Sequence, residues 1–535
     1  MSETQKNWLL DILLLCLVIG SLFTFMLGSR PLSVPDESRY SEIPREMLVS
    51  HDFITPHINA IKYFEKPPLF YWMQAASLKM FGINEWSARF MNALMALLGC
   101  LGTYVTARKL YDRKTGWFAA ITLATSLLYF VMARVVTLDM TVSVLVCFSL
   151  FSFILESYYW VYIFAALAVL TKGLIGIIFP GAIIFLWLCF TGRWRILKEC
   201  KLFKGTLLFL AITLPWHILC QLKNPEFLHY YFITQQFSRY FTMSAGRYQP
   251  MWYYIPILLL GLFPWTGYLV GVTQTTDRKN SSDLFSLIAA SFIFIFYSVS
   301  HSKLTPYILP CMPFLAILFG KYFASENKSK LSLRCGALTS SFICIGLAIA
   351  AYTQLKPEVS INFIQTKLWT ETAIVILAGT AILVPLVLSL RNFLNTYITQ
   401  VICFTLFIGS LCSLAPTIYM DSIKPLAEKI QPLRKPGDMV ATYHYYYQDL
   451  PFYLNQTISI VNWKGELEFG EKYTPPSEAL ITDETLWKTW TSKRRVFLFV
   501  PDTFYSNINR LPYGYYIIAQ DKQDMVITNQ PPEKS

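Results

Sequence analysis

The segments PDESRYSEIPREML (Pro35 to Leu48) and YFEKPPL (Tyr63 to Leu69) concentrate the residue types that do acid–base and anion chemistry. Asp36, Glu37, Arg39, Glu42, Arg45, Glu46, Glu65 and Lys66 set both charge signs beside an apolar run of about 20 residues, the length that crosses a bilayer. Lipid offers such charges nothing, so they need water, one another or a substrate. A carboxylate at Asp36 can serve as a general base or hold an acceptor in place. A cation at Lys66 can meet a phosphate through charge-assisted hydrogen bonds. The plainer reading of Asp36-Glu37, directly after Pro35, is an acidic helix start stabilised by about 1 kcal/mol.

The elements that must position these residues are membrane helices. The 535 residues are 54% hydrophobic and 15% charged, with a mean hydropathy of +0.42. Soluble domains carry more charge and lack repeated apolar runs of spanning length. The net charge of +12 is therefore read through topology rather than as nucleic-acid binding. Basic clusters lie at Arg108–Lys114, Arg193–Lys204, Arg278–Lys279 and Lys328–Arg334. Placing them in the cytoplasm yields about 13 spans, near 8–28, 87–107, 116–133, 140–156, 159–172, 174–192, 205–222, 252–274, 284–300, 305–322, 336–354, 371–390 and 397–418. The N-terminus is then cytoplasmic and the C-terminus external. The first apolar run shows no small-residue cleavage site before Ser29 and is expected to stay as a helix.

With that orientation, more candidates collect on the external face. Asp139 lies in ARVVTLDM, Lys172 ends the fifth span, Arg239 lies in HYYFITQQFSRYF, and Lys303 and Tyr307 lie in HSKLTPY. Asp139 alone would be a helix cap, but as a second carboxylate paired with Asp36 it is a candidate catalytic partner; each cation alone would be a snorkelling anchor. Lys66, Lys172, Arg239 and Lys303 together fit a phosphate, with Tyr63 and Tyr307 as hydroxyl donors. His229 and His301 are isolated, and the 11 cysteines form no CxxC pair. No metal cluster, glycine-rich phosphate loop or GxSxG elbow is present, so no cofactor is expected and no divalent metal is supported.

Two parts of the first loop read as helices lying on the membrane. One puts Tyr40, Ile43, Met47 and Leu48 on a single face, with Glu42, Arg45 and Glu46 elsewhere. The other starts at Pro67-Pro68. From about Asp421 no run can span a bilayer. An amphipathic helix, a KPGD turn at Lys435 to Asp438, and strands at Met439–Tyr443, Ile458–Val461, Arg495–Val500 and Tyr515–Ala519 predict an α/β domain. The expected division is a membrane domain, 1–420, whose first external loop, 29–86, carries the site, and a soluble domain, 421–535.

PDESRYSEIPREML, YFEKPPLFYW with GINEWSARF, LTKGLIG, SKLTPYILPC and KPLAEKI…KPGD…YYQDLPFYL resemble the bacterial lipid A aminoarabinose transferases. These belong to the GT-C superfamily of lipid-linked-sugar transferases, which includes the protein O-mannosyltransferases. The resemblance implies transfer of a sugar, 4-amino-4-deoxy-L-arabinose, from undecaprenyl phosphate to lipid A at the periplasmic face of the inner membrane. It implies Asp36 as the main catalytic carboxylate with Arg39 beside it, and Lys66, Arg239 and Tyr307 as ligands of the donor phosphate. Tyr63, Glu65, Asp139 and Lys172 also match motif positions, with Glu37 and Lys303 in support. Gln235-Gln236 stands where relatives often carry an acidic-His pair, and Thr305-Pro306-Tyr307 replaces the usual Pro-Thr-Tyr order. The expected partners are the lipid-linked donor, lipid A and membrane lipid, without nucleic acid, for a chain acting as a monomer. A transferase acting on a protein or glycan hydroxyl is the alternative. A transporter would place its charges near the midplane and show inverted repeats, neither of which is visible.

Overall fold

Each apolar stretch satisfies its backbone internally by folding as a helix, as hydrocarbon demands. The computed structural model describes the chain except residues 1–2, 239–247, 358–359, 419–420, 476, 511 and 533–535. It divides into two compact units, one of residues 1–30 and 89–419, the other of residues 31–88 and 420–535. The division expected from the sequence differs here. The first external loop packs with the C-terminal region, about 330 residues further on, rather than with the helices it connects.

The larger unit is helical, and the chain is a multi-pass membrane protein. Among the described residues, seven helices are long and apolar enough to cross a membrane. Counting each of two bent pairs as one span raises this to nine, and four shorter apolar helices of 10–17 residues lie along other stretches expected as spans. The stretch expected as a single span at 252–274 instead turns by 106° between Met251–Gly261 and Thr266–Thr275. Pro264, which has no N–H to give a helix, lies in that break. A second break, of 66°, separates Arg113–Ala124 from Leu127–Ala133. The two breaks satisfy each other. The Leu127 N–H donates to the Phe263 carbonyl at 3.0 Å, and the Trp265 indole donates to Thr125 Oγ1 at 3.1 Å. Close approach of the Cys311–Ala324 helix to Arg113–Ala124 depends on Gly320, where a β-carbon would meet the Thr115 carbonyl oxygen at 2.6 Å.

At the ends that carry the basic clusters, acids hold some of the cations. Asp11 is fully buried and takes Arg108 at 2.7 Å, Arg113 at 2.6 Å and the Tyr104 hydroxyl at 2.5 Å. Lys321 pairs with buried Asp283, which also accepts from the Tyr111 hydroxyl at 2.5 Å. These pairs tie helices together.

The smaller unit contains a six-stranded sheet and a hairpin. Strands β1 (His57–Ile58) and β2 (Ile61–Lys62) form the hairpin. Strands β3 (Met439–Tyr443), β4 (Ser459–Val461), β5 (Leu480–Ile481), β6 (Val496–Pro501), β7 (Tyr516–Gln520) and β8 (Asp524–Thr528) lie in the order β5-β4-β3-β6-β8-β7. The first four are parallel and β8 and β7 antiparallel. VFLFV in β6 is apolar on both faces, the pattern of a central parallel strand. Its Val496, Leu498 and Val500 pack with Met439, Ala441, Leu486, Trp490 and Ile527. All four strands read from sequence are present. β5 is too short to leave a periodic signal, and β8 is the return arm of a hairpin whose two-residue pattern is weak.

The Asp36–Ser50 helix departs from its expected setting. It is buried from Glu37 to Met47, charged face included. Arg45 grips Glu42 through Nε and Nη2 at 2.7 and 2.6 Å and reaches Asn455 at 3.3 Å. An amphipathic pattern shows which residues differ in polarity, yet it cannot show that residues from the far end of the chain cover the polar face. The second helix, Leu69–Phe81, does start after Pro68.

The β1–β2 turn, Asn59 and Ala60 at φ 53° and 62°, anchors this packing. The Asn59 amide behaves like a strand neighbour, accepting from Ile458 N–H and donating to Ile458 O, both at 2.9 Å. Gly470 makes room for the hairpin, since a β-carbon there would lie 2.0 Å from the Lys62 carbonyl oxygen. Asn59→Ala strands two buried backbone groups and is expected to cost about 2 kcal/mol. Purified protein should then unfold at a lower temperature, and an unchanged transition would contradict the tie.

Candidate active site

In the smaller unit, Asp36 is the first residue of the Asp36–Ser50 helix, and the cap position belongs to Pro35, which offers no side-chain bond. The carboxylate is therefore free of a capping duty. Its side chain is 42% exposed, and Arg39 Nη1 approaches it at 3.3 Å. Glu37 turns the other way, is buried, and accepts from the Ser33 N–H at 2.9 Å.

Arg39 is 7% exposed, and its fork is taken mainly by a residue that sequence reasoning did not single out. Glu466 accepts from Nε at 3.3 Å and pairs with Nη2 at 2.5 Å. Gln448 donates to the same carboxylate at 2.6 Å. Burial pushes the Glu466 carboxyl above its usual range, and the Arg39 guanidinium and Gln448 amide pull against it. Gln448 lies in YYQDLPFYL, a stretch that carries the resemblance. Nothing near Glu466 marks it, and its distance along the chain hides the pairing.

Tyr63 and Tyr71 are buried, and neither hydroxyl has a hydrogen-bond partner among the described residues. Burial, then Glu65, pushes the Tyr63 phenol up; burial, then Tyr40 and Glu65, does the same at Tyr71. Both therefore stay hydroxyls at neutral pH, able to donate. Lys66 is half-buried in the turn before Leu69–Phe81, and its ammonium donates to the Glu65 carbonyl at 3.1 Å. The set offers the partly exposed carboxylates of Asp36 and Glu65, the Glu466 carboxylate on Arg39, two cations and two buried hydroxyls, which suits a polar ligand carrying hydroxyl and phosphate groups.

The larger unit brings together three other candidates. Asp139 lies in the first turn of Leu138–Ile154, after Thr137 in the cap position. It pairs with Lys172, the last residue of Tyr158–Lys172. The Lys172 ammonium also sits 4.5 Å from the centre of the Tyr307 ring, which packs on Tyr297 at 5.0 Å. Asn92 braces the turn before Asp139 by donating to Val135 O at 2.7 Å and Thr137 O at 2.8 Å. Lys303 is 4% exposed and donates to the carbonyls of Gln249, at 2.8 Å, and Ser300. That makes it a tie between backbone segments. Arg239 lies outside the described residues. Among those described, no group of three His, Cys, Asp or Glu side chains has metal-holding geometry.

A helical membrane unit with an acid–cation pair, and a second unit where the first loop meets an α/β sheet, define the class: a membrane-embedded glycosyltransferase. Residues 65–219 match the family described as dolichyl-phosphate-mannose-protein mannosyltransferase, and residues 426–529 the aminoarabinose transferase C-terminal domain. The chain is 28% identical over 505 residues to undecaprenyl phosphate-alpha-4-amino-4-deoxy-L-arabinose arabinosyl transferase 1 of Proteus mirabilis, covering 88% of each chain. It is 30% identical over 400 residues to the arabinosyl transferase of Aeromonas hydrophila, covering 71% of this chain and 72% of that one. The crystal structure of ArnT from Cupriavidus metallidurans bound to undecaprenyl phosphate superimposes with a TM-score of 0.86 at 26% identity, over 97% of this chain and 98% of that one. The chain belongs to the undecaprenyl phosphate-4-amino-4-deoxy-L-arabinose arabinosyl transferase family.

Proposed function

We propose that this chain moves 4-amino-4-deoxy-L-arabinose from undecaprenyl phosphate to a phosphate of lipid A, at the periplasmic face of the inner membrane. An acceptor phosphate oxygen attacks the anomeric carbon. The bond from that carbon to the donor phosphate oxygen breaks, and its electrons leave with undecaprenyl phosphate. Family membership, joined to a first loop that holds Asp36, Arg39 and Lys66 in one folded unit, carries this reading. Lys66 serves the donor phosphate in this reading. Asp36 and Arg39 orient the acceptor and the sugar, and in the larger unit Asp139 holds Lys172. Mass spectrometry of lipid A from cells with and without the gene tests it. The expected result is a mass increment of one aminopentose on a phosphate only when the gene is present, and identical lipid A in both would overturn the reading.

The orientation follows the basic loops. A reporter fused after Ser535 is expected to be active only outside the cytoplasm, and one fused near Asn280 only inside. Cytoplasmic activity at the C-terminus would separate the soluble region from the donor's leaflet and exclude the site described.

A further inference from the structure

The larger unit has an apolar cavity of about 410 Å³ between the helices Tyr158–Lys172, Ile175–Thr191 and Leu202–Lys223. Val161, Ala165, Pro180, Gly181, Leu202 and Leu210 line it; Val161 and Ala165 share the helix that Lys172 ends, but the lining is apolar and holds neither member of the Asp139–Lys172 pair. A β-carbon placed on Gly181 would meet no atom within 4 Å, so the cavity is open beside that helix. At one end the Tyr162 hydroxyl closes it by donating to the Cys200 carbonyl at 2.8 Å. That volume suits a small-ligand pocket, and an apolar void facing hydrocarbon holds a chain rather than water.

The stretch that supplies Leu197, Cys200 and Leu202 to the lining is cationic. Arg193, Arg195, Lys198, Lys201 and Lys204 are all exposed, against a single carboxylate, Glu199, in the same loop. Lys198 and Lys201 flank Cys200, which lines the cavity. Lys201 holds φ 50°, a conformation glycine takes at less cost, and its ammonium lies 4.6 Å from the centre of the Tyr159 ring. A lysine kept in a left-handed position at the mouth of an apolar groove points to use of its charge. We propose that this groove binds an anionic glycerophospholipid, one acyl chain in the cavity and the phosphate between Lys198 and Lys201. Basic pockets between membrane helices recognise anionic headgroups in this way.

Native mass spectrometry of the purified full-length protein, offered phosphatidylglycerol or phosphatidylcholine with the same acyl chains, tests this. Selective retention of one phosphatidylglycerol is expected. Lys198→Gln and Lys201→Gly should each weaken it about fivefold, and together roughly thirtyfold. Gly181→Trp, which fills the cavity, should abolish retention, with Ala165→Leu as the milder filler should the tryptophan variant fail to fold. Equal retention of the two lipids, or indifference to both lysine changes, would overturn the proposal. So would full retention in the filled variants, or one-for-one displacement by undecaprenyl phosphate, which would make the groove a donor-tail site.

Discussion

Lys66→Ala is expected to lower turnover by about a hundredfold or more, the scale of losing one preorganised donor to developing charge. As the sugar leaves, negative charge grows on the donor phosphate, and a fixed ammonium gains more from that charge than from the ground state. The side chain is half-buried and its turn is framed by β2 and the Leu69–Phe81 helix, so it is held without needing the substrate. The loss should therefore fall on kcat more than on KM for the donor. Lys66→Arg keeps the charge in a different shape and should recover part of the rate. Unaltered turnover in purified, correctly inserted Lys66→Ala would remove the lysine from the phosphate site.

Asp36→Asn is expected to cost a similar factor, with no recovery as pH is raised from about 7 to 9. A hydroxyl acceptor is a poor nucleophile until a base removes its proton, and alkaline solution can partly replace a missing base. A phosphate monoester has its second pKa near 6, so it is already mostly dianionic at neutral pH and needs no base. The geometry suits the second case. Asp36 touches Arg39 through Nη1 alone, while Glu466 holds the remainder of the guanidinium. Asp36 therefore shares in aiming a cation that is already fixed, and the amide of asparagine cannot take that ionic part. The wild-type rate should fall at acid pH as the acceptor phosphate takes up its second proton. Alkaline rescue of Asp36→Asn would instead assign this carboxylate the general-base role.

Local chemistry was legible wherever neighbours in sequence meet in space. The three-residue step from Asp36 to Arg39 is one helical turn, and the contact exists. The strands of the C-terminal region could be read because β-branched and aromatic runs are bounded by turns. Asp139 and Lys172 were each visible at helix ends, whereas their direct pairing needed the packing of two helices. Lys303 looked like another phosphate ligand by charge and position; its engagement with two carbonyls depends on a chain path that no motif encodes. Glu466 and the buried polar face of the Asp36–Ser50 helix share one cause. Both result from the C-terminal region closing on the first loop, a contact between segments too distant for any periodic signal.

Transfer of the sugar to a phosphate, rather than to a hydroxyl, can be measured by reconstitution. Purified protein in vesicles is given undecaprenyl phosphate-linked aminoarabinose with either lipid A or enzymatically dephosphorylated lipid A, and products are weighed by mass spectrometry. Lipid A is expected to gain one aminopentose per modified phosphate, with one undecaprenyl phosphate released for each, while the dephosphorylated acceptor gains none. Equal transfer to the dephosphorylated acceptor, whose hydroxyls are then the only nucleophiles, would contradict it.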